Sequence, residues 1–352
     1  MPFKFRHICL LCALMATVFS GCSLVDEDMS DCETDFDLSY ELRLVTNMTT
    51  EIKTQLSLGA DVQVATALET FLQGVFTDFA HDVDLSFYDV QADSLRLHHE
   101  RHIMDANQSS YTLYIPVRKY MHVAVANLEK NGEVLLEQDE KCHRARLIQP
   151  VRNIVESQPT GVFSARLPMD IKEGIDQQFD VSLYMVNCAS ALVLDTLGSN
   201  VKNLQVFASG FASGFDLADS TYRFNYTPRV RAQSLDTGGV PGTPACFAAV
   251  TFPSPDLPDG KAQIETSDPF VSPAADHSLW TVSVYATLPD GSITETLLGV
   301  KLPLRPGQVK VIKAKVVSDG SCVPPPTEDP YVGASVTLQW NDMPSWEIDD
   351  YQ

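Results

Sequence analysis

Apolar and polar residues alternate from Phe36 to Leu44, the two-residue period of a strand that buries one face. From Asp61 the period changes. Val62, Ala65, Leu68, Leu72, Val75, Phe76 and Phe79 recur at intervals of three and four, which predicts a helix capped by Asp61 with an apolar stripe laid on a sheet. Gly74 weakens such a helix by about 1 kcal/mol relative to Ala, too little to overturn the pattern. Strand-like runs follow over 83–90, 111–117, 121–128 and 161–167. A second set covers 179–186, 191–194, 201–208, 222–226, 247–252, 280–288, 293–300 and 308–317. Short strands separated by turn residues predict β-sandwiches. Gly and Pro crowd the stretch from Thr237 to Pro244, which reads as a long loop inside the second set. A boundary is expected near Lys172-Glu173-Gly174.

The end of the chain has a pattern of its own. Val323 to Pro330 holds four prolines and reads as a stiff, extended linker. Beyond it Val332, Ala334, Val336, Leu338 and Trp340 share one parity, and Gly333, Ser335, Thr337 and Gln339 the other. This is a one-faced amphipathic strand. A lone strand is not stable in water, so it pairs with something: another chain, or the last open edge of its own second domain.

The start carries an address. Lys4 and Arg6 precede an uncharged apolar stretch from Ile8 to Phe19, followed by Ser20-Gly21-Cys22. The stretch is shorter than the roughly 20 residues a bilayer span requires, and it ends in small residues as a cleaved signal does. Val18-Phe19-Ser20-Gly21-Cys22 resembles a bacterial lipobox, with Phe19 where Leu is usual. On that reading Cys22 becomes the acylated N-terminus, and the alternative is an ordinary secretory signal. Several acyl chains at about 0.8 kcal/mol per buried methylene anchor firmly where one does not. Asp26, Glu27 and Asp28 then resemble a surface-export signal, or serve as a solvated tether.

Composition narrows the function. The 352 residues suffice for two domains, and 44% are hydrophobic, enough for packed cores. Loss of Lys4 and Arg6 with the signal takes the formal charge from -21 to -23. Such a surface repels nucleic acid and anionic lipid. Cys32, Cys142, Cys188, Cys246 and Cys322 remain after the signal and Cys22 are set aside. They form one or two bridges, or are small buried thiols; no Cys-x-x-Cys motif is present.

No catalytic constellation emerges. His98 and His102 stand at i, i+4 in His98-His99-Glu100-Arg101-His102, but nothing around them has helical period, so a polar loop or strand edge is expected rather than a metal site. In Gly210-Phe211-Ala212-Ser213-Gly214 the serine is off the centre that a nucleophile elbow requires. Neither a phosphate loop nor a dinucleotide fingerprint occurs. The abundant acids read as solvated faces, and no cofactor is expected beyond the covalent lipid. Asp93-Ser94-Leu95, Asp195-Thr196-Leu197 and Asp219-Ser220-Thr221 resemble acceptor triplets for bacterial O-glycosylation.

The lipobox, the opening strand between Cys32 and Leu44, Val83-Asp84-Leu85-Ser86-Phe87-Tyr88-Asp89, Tyr120 to Leu128, Gly307 to Ile312, and Ala334 to Trp340 together resemble the fimbrial anchor lipoproteins of the bacteroidetes fimbrillin superfamily. Two departures stand out: Val90 to Asp93 replaces a Gly-containing turn, and 237–244 is unusually rich in Gly and Pro. The resemblance implies a mainly β chain of two tandem transthyretin-like sandwiches, with one helix in the first and an extended tail. The divisions are a signal over 1–21, a lipidated tether over 22–32, sandwiches over 33–172 and 173–322, and a linker with tail strand over 323–352. It further implies a non-enzymatic role in a fimbrium, a lipid anchor in the outer membrane through Cys22, and fimbrial subunits as partners. Val332, Ala334, Val336, Leu338 and Trp340 would then be donated to the first subunit. The rival reading is a glycan-binding surface lipoprotein. Such modules use aromatic platforms, and only Trp280 among the three tryptophans lies in the body, although tyrosines can substitute.

Overall fold

A computed structural model describes residues 38–45, 62–76, 80–91, 93–103, 110–138, 140–238, 242–255, 278–324 and 332–340, with the backbone alone for 38–45, 103, 110–112, 143 and 332–340. In chain order the first elements are β1 (Leu38–Val45), α1 (Val62–Val75), β2 (Asp82–Asp89), β3 (Arg96–Ile103), β4 (Ser110–Leu113) and β5 (Lys119–Ala126). Then come β6 (Leu135–Glu137), β7 (Arg146–Ile148), β8 (Ile154–Glu156), β9 (Phe163–Asp170), β10 (Gln177–Met185) and β11 (Cys188–Asp195). The next group is β12 (Asn203–Ser209), β13 (Gly214–Asp216), β14 (Thr221–Arg223), β15 (Arg229–Arg231), β16 (Gln233–Leu235) and β17 (Ala245–Thr251). The last are β18 (Trp280–Thr287), β19 (Ile293–Val300), β20 (Val309–Val316), β21 (Cys322–Val323) and β22 (Val332–Trp340).

The chain is mainly β, as expected, and the described strands form four sheets: β3-β2-β5-β9-β10-β1-β4, β16-β17-β11-β20-β21, β22-β19-β18-β12-β15-β8 and β14-β13-β7-β6. The five-stranded sheet is the middle layer, because both of its faces are apolar. On β11, Ala189, Ala191 and Val193 turn to the first core, and Cys188, Leu192 and Leu194 to the second. The first face is built from small side chains, Ala189, Ala191, Cys246 and Ala248, so α1 can lie close to β16 and β17. Val64, Leu68, Leu72 and Val75 form the buried side of α1 and meet Val83, Leu85 and Phe87 of the seven-stranded sheet. Each such side chain contributes about 1.5–3 kcal/mol on burial. The predicted stripe starts one turn too early, since Val62 is 78% exposed. Phe79 lies outside the described residues.

The second face of the middle sheet packs on the six-stranded sheet, with Leu192, Ile312 and Ala314 against Val206, Val282, Val284 and Leu298. A third core covers the other side of the seven-stranded sheet. There Tyr88, Val123 and Val125 meet Leu147, Phe215 and Leu217 near the four-stranded sheet.

Strands on the two sides of residue 172 share sheets. β7 pairs with β13 and β8 runs parallel to β15, while β10, grouped by sequence with the second set, lies in the seven-stranded sheet with β9 and β1. For β10 the reason is local: residues 171–176 are a short connection, so the chain turns back into the sheet it has just left. Two glycines permit close approaches. A Cβ on Gly210, whose φ is +94°, would stand 2.7 Å from the Trp280 Cα, and one on Gly214 would stand 2.7 Å from the Leu147 carbonyl oxygen.

Candidate functional site at the outer sheet edge

β22 is the terminal strand of the six-stranded sheet and runs antiparallel to β19. Among the described residues, no strand pairs with its other side. The sequence left two places for this segment, and here it occupies its own sheet. Val332 stands opposite Val300, Ala334 opposite Leu298 and Val336 opposite Thr296, after which the register slips, so that Leu338 stands opposite Glu295 and Trp340 opposite Ile293. Thr337 is the extra residue of the bulge.

The partners before and after the slip belong to different faces. Val300 and Leu298 are core residues of the sandwich. Ile293 belongs to an outer cluster with Ile154, Phe207 and Tyr285. The slip has a local cause. The turn before β21 covers the inner face at this point, with Thr294 donating its hydroxyl to the Asp319 carbonyl at 2.7 Å and Thr296 accepting from the Cys322 N–H at 2.9 Å. Thr294 and Thr296 are fully buried. Space on the inner side is therefore taken where an unbroken strand would continue.

Glu295, at the slip, ends a polar chain on the outer face. Arg229 lies 4.6 Å over the Phe207 ring and donates Nη2–H to the Tyr285 hydroxyl at 3.0 Å, and Tyr285 donates to Glu295 Oε1 at 2.7 Å. Burial pushes the Tyr285 phenol well above its usual range. The alternation of β22 carried no signal of the bulge, which arises from the neighbouring turn.

The other residues singled out by sequence fall elsewhere. Cys22 and Cys32 lie outside the described residues. Cys142, Cys188, Cys246 and Cys322 are buried free thiols. Burial raises all four, and Cys188, Cys246 and Cys322 are pushed up to about 12. His98 and His102 are on β3, a sheet edge, where Glu100 sits between them and pairs with His98 Nε2 and, at 2.7 Å, with His102 Nε2. No group of three metal-ligating side chains is found among the described residues. Phe211 and Ala212 are core residues, and the Ser213 hydroxyl donates to the Arg223 carbonyl at 3.4 Å. Ser94 and Ser220 have positive φ at turns, and Thr196 follows the end of β11. No helix among the described residues is long and apolar enough to cross a membrane.

The stretch Tyr120 to Leu128, part of the family resemblance, has a structural role. Asn127 turns the chain at φ 67°. Its Oδ1 accepts from the His81 N–H at 2.7 Å and its Nδ2 donates to the Gly161 carbonyl at 3.1 Å. Asp82 receives the N–H groups of Leu128 and Glu129 at 3.0 and 3.1 Å. His122 is fully buried, stacked 4.3 Å from Phe87 and bonded through Nδ1 to the Ser86 carbonyl at 3.0 Å.

No protein-family model matches the chain, and no curated protein does. Among solved structures the chain is similar to a candidate polysaccharide-binding protein from Bacteroides thetaiotaomicron, at 9% identity and TM-score 0.49, over 82% of this chain and 94% of that one. It is similar to a candidate adhesin from Bacteroides ovatus at 10% identity and TM-score 0.49, over 86% and 94%. It is also similar to the fimbrial anchor protein Mfa2 from Porphyromonas gingivalis at 9% identity and TM-score 0.44, over 86% and 96%.

Proposed function

We propose that this chain is a surface lipoprotein of a fimbrium, held in the outer membrane by acyl chains on Cys22 and joined to the first fibre subunit by Val332–Trp340. One observation carries this reading. The alternation of Val332, Ala334, Val336, Leu338 and Trp340 is unbroken, yet the register that these residues find on β19 is broken at Thr337. The pattern therefore suits a continuous groove better than the edge it occupies. A strand at a sheet end also leaves half of its backbone groups without a ladder partner. Transfer into a groove with two rims adds a second ladder, at about 0.5–1.5 kcal/mol net per hydrogen bond. The alternate side chains then set specificity. The lipobox and the fimbrial-anchor motifs spread along the mature sequence support the same reading.

The test is deletion of 332–352 in cells that express the fibre. Fibres are released into the medium while the lipidated body stays on the cell, and Cys22→Ser releases body and fibre together. Fibres retained at wild-type levels after the deletion overturn the proposal.

A further inference from the structure

The seven-stranded sheet parts between β9 and β10. The two strands pair only through Tyr184 with Ser164 and Met185 with Phe163. On their other sides each is paired along nearly its whole length, β9 with β5 and β10 with β1. Continued in register, Ala165 would meet Leu183 and Arg166 would meet Ser182, but those pairs are not formed. Pro168 lies on the β9 rim, and proline, which brings no N–H, is at home on a strand with one open side.

A cavity of about 530 Å3 opens at the parting, within the roughly 300–1,000 Å3 range of small-molecule sites. Its rims are of opposite charge, with Arg166 on β9 and Asp180 beside Ser182 on β10. Arg166 makes no ion pair among the described residues. Tyr184 lines the cavity with 60% of its surface exposed. Tyr222 forms a fixed wall, since its hydroxyl donates to the Val186 carbonyl at 2.8 Å and its ring packs 4.7 Å from Phe215.

This combination selects against most ligand classes. An anion drawn to Arg166 meets the carboxylate of Asp180, and a cation meets the guanidinium. A purely apolar ligand would strand the polar groups on both rims, at a cost of about 1–3 kcal/mol for each one left buried without a partner. A ligand bearing many hydroxyls both donates and accepts, so it can serve guanidinium, carboxylate, serine and open strand edges together. The exposed ring of Tyr184 offers an apolar face to the C–H side of a pyranose, in the way aromatic residues present area at low entropic cost. We propose that the cleft between β9 and β10 binds a neutral glycan of one to a few sugar units. This site is separate from the tail strand and does not depend on the fibre reading.

The full-length protein is applied to immobilised dextran, mannan and galactan, with an unstructured peptide library as a further probe. At least one neutral polysaccharide is retained, and Arg166→Ala and Tyr184→Ala each weaken retention tenfold or more. Tyr114→Ala, at an exposed tyrosine away from the cleft, leaves it unchanged. Ser182→Ala supplies a second rim variant if Arg166→Ala lowers the melting temperature. Absence of retention on all three polysaccharides overturns the proposal, as does retention indifferent to both Arg166 and Tyr184. Binding of peptides in place of sugars, with the same sensitivity, also overturns it.

Discussion

Replacing Leu297 and Ser335 with cysteine puts two thiols on paired positions of β19 and β22, and their oxidation fastens the tail strand to its own sheet. The bridge closes a loop of roughly 38 residues, for which chain entropy predicts about 4 kcal/mol of added stability. At about 1.4 kcal/mol per tenfold, the bridged strand leaves its sheet on the order of a thousand times less often. The native thiols of the described residues should not interfere, because Cys142, Cys188, Cys246 and Cys322 are buried and raised above their usual range. The assay compares cell-bound and shed fibres for the double variant and both single variants, with the bridge followed by mobility on non-reducing gels. Donation of β22 predicts that bridged cells shed their fibres and that growth with reductant restores them. The neighbouring pair, Leu298 with Ala334, repeats the experiment with the opposite backbone bonding. Fibres retained on cells in which every molecule is bridged would refute the reasoning, because a strand fixed to β19 cannot be transferred into a groove that pairs both of its edges.

Two further outcomes test the body. Burial holds His122 neutral by pulling its pKa down to about 3, whereas an unfolded histidine titrates near about 6.5. The unfolded chain therefore takes up the extra proton as pH falls below about 6.5, and stability drops by roughly 1.4 kcal/mol per pH unit until about pH 3. Above that window His122 adds no pH dependence. Urea unfolding of wild type and His122→Phe at a series of pH values should diverge in slope, and parallel slopes would sink the assignment. Asn127→Ala removes two hydrogen bonds and leaves a β-carbon at φ 67°, costing about 2–5 kcal/mol from orphaned polar groups and backbone strain. Asn127→Gly relieves only the strain and falls between; a loss under about 1 kcal/mol for the Ala variant contradicts this account.

What could be read from sequence depended on whether a residue's neighbours were also written in its period. The helix was legible because Leu68, Leu72 and Val75 repeat on one face, but its first turn was not, since nothing local distinguishes exposed Val62 from buried Val64. β3 was legible only as a polar loop or strand edge, because it carries His98, Glu100 and His102 on one parity and His99 and Arg101 on the other. A sheet edge needs no apolar stripe, so periodicity is silent there. The three-residue strands β6, β7, β8 and β13 are too short to hold a period at all. β7 with β13 and β8 with β15 are also pairs by which the two halves of the chain share sheets. The strand at 332–340 was legible as a strand, but its bulge was not, because it comes from the Asp319–Cys322 turn. The cleft left one local trace, Pro168, whose meaning needs the knowledge that β10 should have been its neighbour.

The shared sheets bear on how a load would cross the molecule. Tandem sandwiches joined by a single connection behave as beads on a string, and tension first swings one bead about the other. Here β7 and β8, from before residue 172, are stitched into ladders with β13 and β15 from after it. A swivel at that point would have to tear backbone hydrogen bonds rather than bend a connection. Turning one half against the other is therefore resisted by two backbone ladders as well as by the connection.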